Sequence, residues 1–279
     1  MERAFWEQVA ASGHQVPDAH PLPELTAELA AMLGDPAPRR REAIARRTLT
    51  AWVGAGVYDD LLQGLGDGMA AGLDVGIGED GTDTVFRRSL SAVVLTACLE
   101  RNNHEELLPA ETVLRWGDRI VVWLLRERDL RGFVPGKGWA HTVAHGADAL
   151  GVLAGSAAVG LLELTVLLDV IADRLLLPTT HRLQHGEDDR LARATMQILR
   201  REVIGQEVLA RWLARVGSAA SCSGTDVEDP YLVAGNVQSY LRALHLLLAL
   251  APDPPPCRTD LLLEVIARLR ETNSSSLAR

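Results

Sequence analysis

The chain has 279 residues, 47% of them hydrophobic but only 4% aromatic, and a formal net charge of −9. So acidic a protein repels a phosphate backbone, which excludes nucleic acid as an expected partner. Three scattered cysteines (Cys98, Cys222 and Cys257, without CxxC spacing) exclude a disulfide framework and fit reduced thiols in a cytoplasm.

The apolar content is mostly Leu, Ala and Val, with few aromatics, a bias that favours helices over strands. The N-terminus carries acids and no apolar run, so no signal peptide is expected. Stretches such as Leu244–Leu250 fall well short of the ~20 residues of a membrane span.

In chain order, a first helix is expected over Glu2–Ser12 and a second over Glu24–Leu33, stopped by Gly34-Asp35-Pro36. Arg39–Val53 follows; its cluster Arg39, Arg40, Arg41, Arg46 and Arg47 reads as a solvated helix face. Tyr58–Leu73, Thr84–Arg101 and Ala110–Arg128 come next, then Trp139–Leu153, Gly160–Leu176 and Asp188–Val203. Gln206–Val216, Pro230–Leu250 and Thr259–Glu271 complete the series. Within Thr84–Arg101, Leu90, Val93, Val94 and Ala97 share a face, away from Arg87 and Arg88.

No segment alternates with period two between turn residues, so no strand is expected. The breaks at Leu73–Asp83 and Gly217–Asp229 are loop-length, which keeps the chain as one domain. About twelve helices give ~40–47 residues per pair, the period of HEAT-type repeats. The expected fold is therefore all-α: a HEAT-like α-solenoid of helices stacked as antiparallel pairs.

The densest motif lies around the one lysine, Lys137. A loop with Gly132, Pro135, Gly136 and Gly138 leads to Trp139 at the expected start of a helix. His141, His145 and Asp148 then stand at i, i+4 and i+7, projecting from nearly one side. Ala144, Gly151, Val152 and Gly155 flank them, so this face reads as the floor of a cleft.

Three readings of the trio stay open. The side chains could bond neighbouring helices in a polar seam. A carboxylate could instead orient an imidazole for acid/base work. Two His one turn apart could also bind a metal, but Thr142 stands where the HExxH helix has its general-base Glu, so a zinc protease is not expected.

Further along, His181–Arg190 (HRLQHGEDDR) opens a helix whose first-turn acids suit the helix dipole, with Asp188 or Asp189 as cap. Glu187 or Asp188 reaching the cleft is the alternative. Asn236, with Tyr240 one turn on, needs a partner inside an apolar helix; another helix or a ligand would serve.

Taken together, Arg128-Asp129, Arg131-Gly132-Phe133, Lys137-Gly138-Trp139, His141, Ala144-His145, Asp148 and Glu187-Asp188-x-Arg190-Leu191 resemble a bacterial family of uncharacterised all-helical proteins with HEAT-like architecture. The resemblance implies that fold and marks Trp139, His141, His145, Asp148 and Asp188 as signature positions; it supplies no reaction.

The function expected is a small-molecule enzyme or ligand binder, with His141, His145 and Asp148 as acid/base residues. Trp139, Lys137, Arg131, Asp188, Glu187, Asn236 and Tyr240 are the expected substrate contacts, and an Ala/Arg-rich chain suggests specialised metabolism. Neither a phosphate loop nor a dinucleotide fingerprint occurs, so no cofactor is expected. A helical scaffold for a partner protein is the alternative, and a homodimer stays open.

Overall fold

A computed structural model describes residues 2–220, 229, 231–273 and 277. Cys222, Pro230 and most of the Gly217–Asp229 break lie outside the described residues. Among those described, the chain is mainly helical, and none of its helices is long and apolar enough to cross a membrane. It divides into two compact units, Met1–Ala149 and Leu150–Arg279.

The first unit holds α1 (Arg3–Ala11), α2 (Leu22–Met32), a π-helical segment (Arg39–Arg46) and α3 (Arg47–Gly54). A 3-10 turn (Asp59–Leu61), α4 (Leu62–Gly72), α5 (Thr84–Glu105) and α6 (Ala110–Arg126) follow, and α7 (Thr142–Ala154) begins here. α5 is the hub, packing on α3, α4 and the π-helical segment. It is buried on nearly all sides rather than along one face: Val85, Phe86, Leu90, Val94 and Leu99 are inaccessible, and so is Arg88.

The second unit holds α8 (Leu161–Leu176), α9 (Glu187–Leu199), α10 (Gln206–Ser218), α11 (Tyr231–Leu250) and α12 (Arg258–Thr272). There α11 is the hub, touching α8, α9, α10 and α12.

The structure corrects several expectations. The stretch Tyr58–Leu73 is broken, because its first turn winds as the 3-10 segment before α4 starts. α6 stops at Arg126, two residues early, because the Glu127 side chain captures the next backbone N–H groups. Arg41, read as part of a solvated face, is wholly buried. Its guanidinium lies 3.6 Å above the Phe86 ring and donates to the carbonyls of Asp35, Pro36 and Lys137.

There is also a strand pair. β1 (Phe133–Val134) and β2 (Gly138–Trp139) form an antiparallel ribbon in register Phe133↔Trp139 and Val134↔Gly138. Trp139 therefore lies on a strand, and the helix expected from it begins three residues later.

Candidate functional site

The site rests on a buried ionic corner. Arg88 and Glu127 are both inaccessible and meet in a two-pronged pair, Nε–Oε2 at 2.6 Å and a terminal nitrogen to Oε1 at 2.8 Å. The remaining arginine donors reach the carbonyls of Val75 and Gly76 and the Thr84 hydroxyl. Glu127 in turn accepts from the Trp123 indole and from the N–H groups of Arg128 and Asp129. Two long-range segments are thereby clamped at the base of the motif loop.

Asp129, also buried, takes the Gly81 N–H and the guanidinium and backbone N–H of Arg131. Its carbonyl accepts from the Thr142 hydroxyl at 2.8 Å, which ties the first residue of α7 to the loop. Position 142, where a metalloprotease has its base, is thus a structural tether. The Arg131 charge is already matched by Asp129, and Lys137 Nζ sits 2.6 and 2.8 Å from the two Asp83 oxygens. The two cations expected to draw in an anionic group are therefore engaged by carboxylates of their own unit.

Between the strands, Val134-Pro135-Gly136-Lys137 closes a tight turn with a Lys137 N–H to Val134 carbonyl bond of 3.0 Å. Gly136 has φ +75°, as position three of a type II turn requires. The ribbon lifts Phe133 and Trp139 into solvent, 46% and 43% exposed. Their rings meet edge to face at 5.0 Å, and Trp139 stacks on His141 at 4.3 Å with an interplanar angle of 25°.

His141 departs from the expected helix face. It precedes α7 and has φ +52°. Among the described residues, the other non-glycine positive-φ positions (His14, Glu106 and Glu202) all lie just past helix ends, where a left-handed residue is ordinary. His141 alone opens a helix in this way. Its N–H donates to the Arg131 carbonyl and its carbonyl accepts from His145, so the neighbouring chain enforces the conformation. Left-handed backbone costs a non-glycine residue ~1–2 kcal/mol, and such strain clusters at functional sites. Here it sets the imidazole under the Trp139 ring.

His145 lies on α7, its ring 5.9 Å from that of His141 and perpendicular to it. His141, His145 and Asp148 are all half-buried, whereas Val143, Ala144 and Ala147 are inaccessible. All three members of the trio are thus partly accessible, on the segment that runs from the residue before α7 into its second turn.

A residue that the sequence reading missed fixes His145. Ser89, buried on α5, places Oγ 2.7 Å from His145 Nδ1 and in short contact with the Ala140 carbonyl oxygen. A carbonyl brings no hydrogen, so the single hydroxyl hydrogen of Ser89 points to Ala140. Nδ1 must then donate to Oγ, and in the neutral ring the basic lone pair belongs to Nε2, on the side away from Ser89. Ser89 is no activated nucleophile, since its hydrogen points away from the imidazole.

Glu100, also on α5, was missed as well. Its carboxyl is pushed above the ordinary range by desolvation and by the nearby Asp148 carboxylate, with His104 opposing. A carboxyl raised on folding contributes its stability below the ordinary glutamate range and loses it as pH rises through the raised value. Glu100→Gln should therefore raise Tm above wild type at neutral pH, with the gap closing below about pH 4. Melts at the two pH values test this; a gap that ignores pH would detach Glu100 from Asp148.

The other four expected contacts lie in the second unit. Glu187 is buried and accepts the His185 N–H at 2.7 Å, which places it at the start of α9 behind Gly186. Asp188, half-buried, has its carboxyl raised, chiefly by desolvation. Asn236 is spent on its own chain: Oδ1 accepts from the Leu183 N–H and the Arg182 guanidinium, and Nδ2 donates to the His181 carbonyl. The Tyr240 hydroxyl, fully buried, pairs with Thr195 at 2.7 Å, and burial raises its pKa strongly. Asn236 and Tyr240 thus have the inter-segment partners that one of the two readings required.

A family profile described as "Protein of unknown function (DUF2785)" matches residues 73–246, more than half of the chain and the whole motif region. No curated protein and no solved structure matches.

Proposed function

We propose that this chain, which belongs to the DUF2785 family, binds a small molecule on the face of Trp139, His141, His145 and Asp148 and moves a proton through His145 Nε2. The observation that carries the reading is the Ser89–His145 bond. It orients a half-buried imidazole and assigns its basic nitrogen, as a general acid/base needs. The exposed Trp139 ring, backed by His141 and flanked by Phe133, offers a flat apolar contact beside it. Asp148 supplies the negative charge that stabilises a protonated histidine. As part of the same proposal, the helices of each unit follow a HEAT-like antiparallel pairing, which the packing of α4 on α5 and of α11 on α12 supports.

Trp139 provides the test. The other five tryptophans are at most 5% exposed. Iodide should therefore quench one accessible class of indole fluorescence, and Trp139→Phe should abolish that class. A small-molecule library screened against this signal should yield ligands that protect Trp139 from iodide and lose affinity in Trp139→Ala. Quenching unchanged by Trp139→Phe would contradict the exposed platform, and full affinity in Trp139→Ala would place the ligand elsewhere.

One observation favours a second reading, a surface for a partner protein. α8 turns Leu161, Leu162 and Val166 to solvent, Leu162 being 76% exposed. Leu162→Asp would break such a contact and leave the Trp139 signal intact.

A further inference from the structure

Elsewhere in the second unit, several surface arginines meet carboxylates. Arg200 pairs with Asp253, Arg211 with Glu207, Arg215 with Asp169 and Asp173, and Arg268 with Glu264 and Glu271. Two others are treated differently. Arg182, from the HRLQHGEDDR segment, donates to Asn236 Oδ1 at 3.1 Å and to the Ser239 hydroxyl at 3.3 Å. Arg242 donates to Gln238 Oε1 and Asn273 Oδ1, both at 3.1 Å. Among the described residues neither has a carboxylate partner. Neutral amides and a hydroxyl fix a guanidinium in place without cancelling its charge.

Both arginines line one cavity of about 430 Å³, together with Gln238, Tyr231 and Asp229. A volume of that order suits a small molecule. Arg182 lies across α11 where Gly235 leaves room: a Cβ at 235 would fall 2.1 Å from its terminal nitrogen. Gln238 is itself held, its Nε2 donating to the Ala220 carbonyl at 2.8 Å. Asp229 accepts the Tyr231 N–H and puts one negative charge against the two positive ones, so among the described residues the lining is cationic by one. In a chain of net charge −9, a positive lining runs against the overall field.

We propose that this cavity binds a small molecule through an oxyanion group, a carboxylate or a phosphate. The planar forks of Arg182 and Arg242 grip the oxygens, and the Tyr231 ring, 69% exposed, covers the body of the ligand. Asn236 is then a positioning residue, reaching the ligand only through Arg182.

Titrations with sodium phosphate and sodium acetate at constant ionic strength, followed by NMR of the full chain, test this. Saturable shifts on α11 at millimolar anion are expected, and the anion that binds more tightly identifies the oxyanion. Arg242→Gln should weaken binding at least about tenfold, the loss of one charge-assisted contact. Should Arg182→Gln fail to fold, Arg242→Gln decides alone, because its side chain is exposed. Arg211→Gln should leave binding unchanged.

Three results would overturn the proposal: no shift with either anion, equal binding in Arg242→Gln, or equal loss in Arg211→Gln. A fourth concerns Asp226 and Glu228, which lie outside the described residues. If the chain binds the anions only after D226N/E228Q, its own carboxylates are what the arginines serve.

Discussion

Replacing Glu127 by Gln is expected to cost about 3–5 kcal/mol, the usual penalty for leaving one member of a buried ion pair uncompensated. Against the ~5–15 kcal/mol by which a typical domain is stable, that is a large fraction. The partner, Arg88, has no exposure through which water could take over its charge. Buried pairs can often be replaced by apolar residues at no loss, but not this one. Glu127 also satisfies the Trp123 indole and the N–H groups of Arg128 and Asp129, and a double R88M/E127L variant would orphan all three. The double variant should therefore be no more stable than the single one. Urea denaturation of wild type, E127Q and R88M/E127L measures both quantities. A loss below about 1 kcal/mol in E127Q, within the range of a surface pair, would mean that the corner does not hold α5 to the motif loop.

The second large effect falls on function. His145→Asn places an amide nitrogen near the position of Nδ1, so it keeps a donor for Ser89 while removing the basic Nε2. The fold should survive with a loss of about 1 kcal/mol or less, the value of one ordinary hydrogen bond. Turnover of a substrate identified through Trp139 should fall by about 10²–10⁴, the range set by a general acid/base. Ser89→Ala should act more mildly and through position, shifting the pH profile rather than abolishing turnover. Equal turnover in His145→Asn and wild type would remove the proton role and leave a binding face only.

Much of this was legible in the chain, and the exceptions have physical causes. Helices came through because Leu- and Ala-rich segments of ten or more residues repeat their pattern several times. Two-residue strands repeat nothing, so Phe133–Val134 and Gly138–Trp139 gave no period. The Val-Pro-Gly-Lys run between them did carry a turn signature, Pro followed by a glycine at positive φ. The trio stood out in the sequence by its i, i+4 and i+7 spacing, a helical period, although His141 stands just outside the helix.

Charged residues misled in one direction. Arg41, Arg88, Glu127 and Asp129 look like surface residues in sequence and are buried. What buries them are partners up to about a hundred positions away, such as the Lys137 carbonyl for Arg41, which only the fold brings together. Ser89 could have been found by the argument that flagged Asn236: a polar side chain inside an apolar helix needs a partner. Nothing local distinguishes Glu100, whose significance comes from Asp148 on another helix.

The proposed proton role depends most on which nitrogen of His145 carries its proton. Long-range proton–nitrogen NMR of imidazole-labelled protein, at a pH where the ring is neutral, reads this directly. The Ser89 geometry predicts a proton on Nδ1 and a lone pair on Nε2, with Ser89→Ala relaxing the ring towards the opposite tautomer. A wild-type ring with its proton on Nε2 would turn the lone pair toward Ser89 and contradict the assignment of His145 as the base.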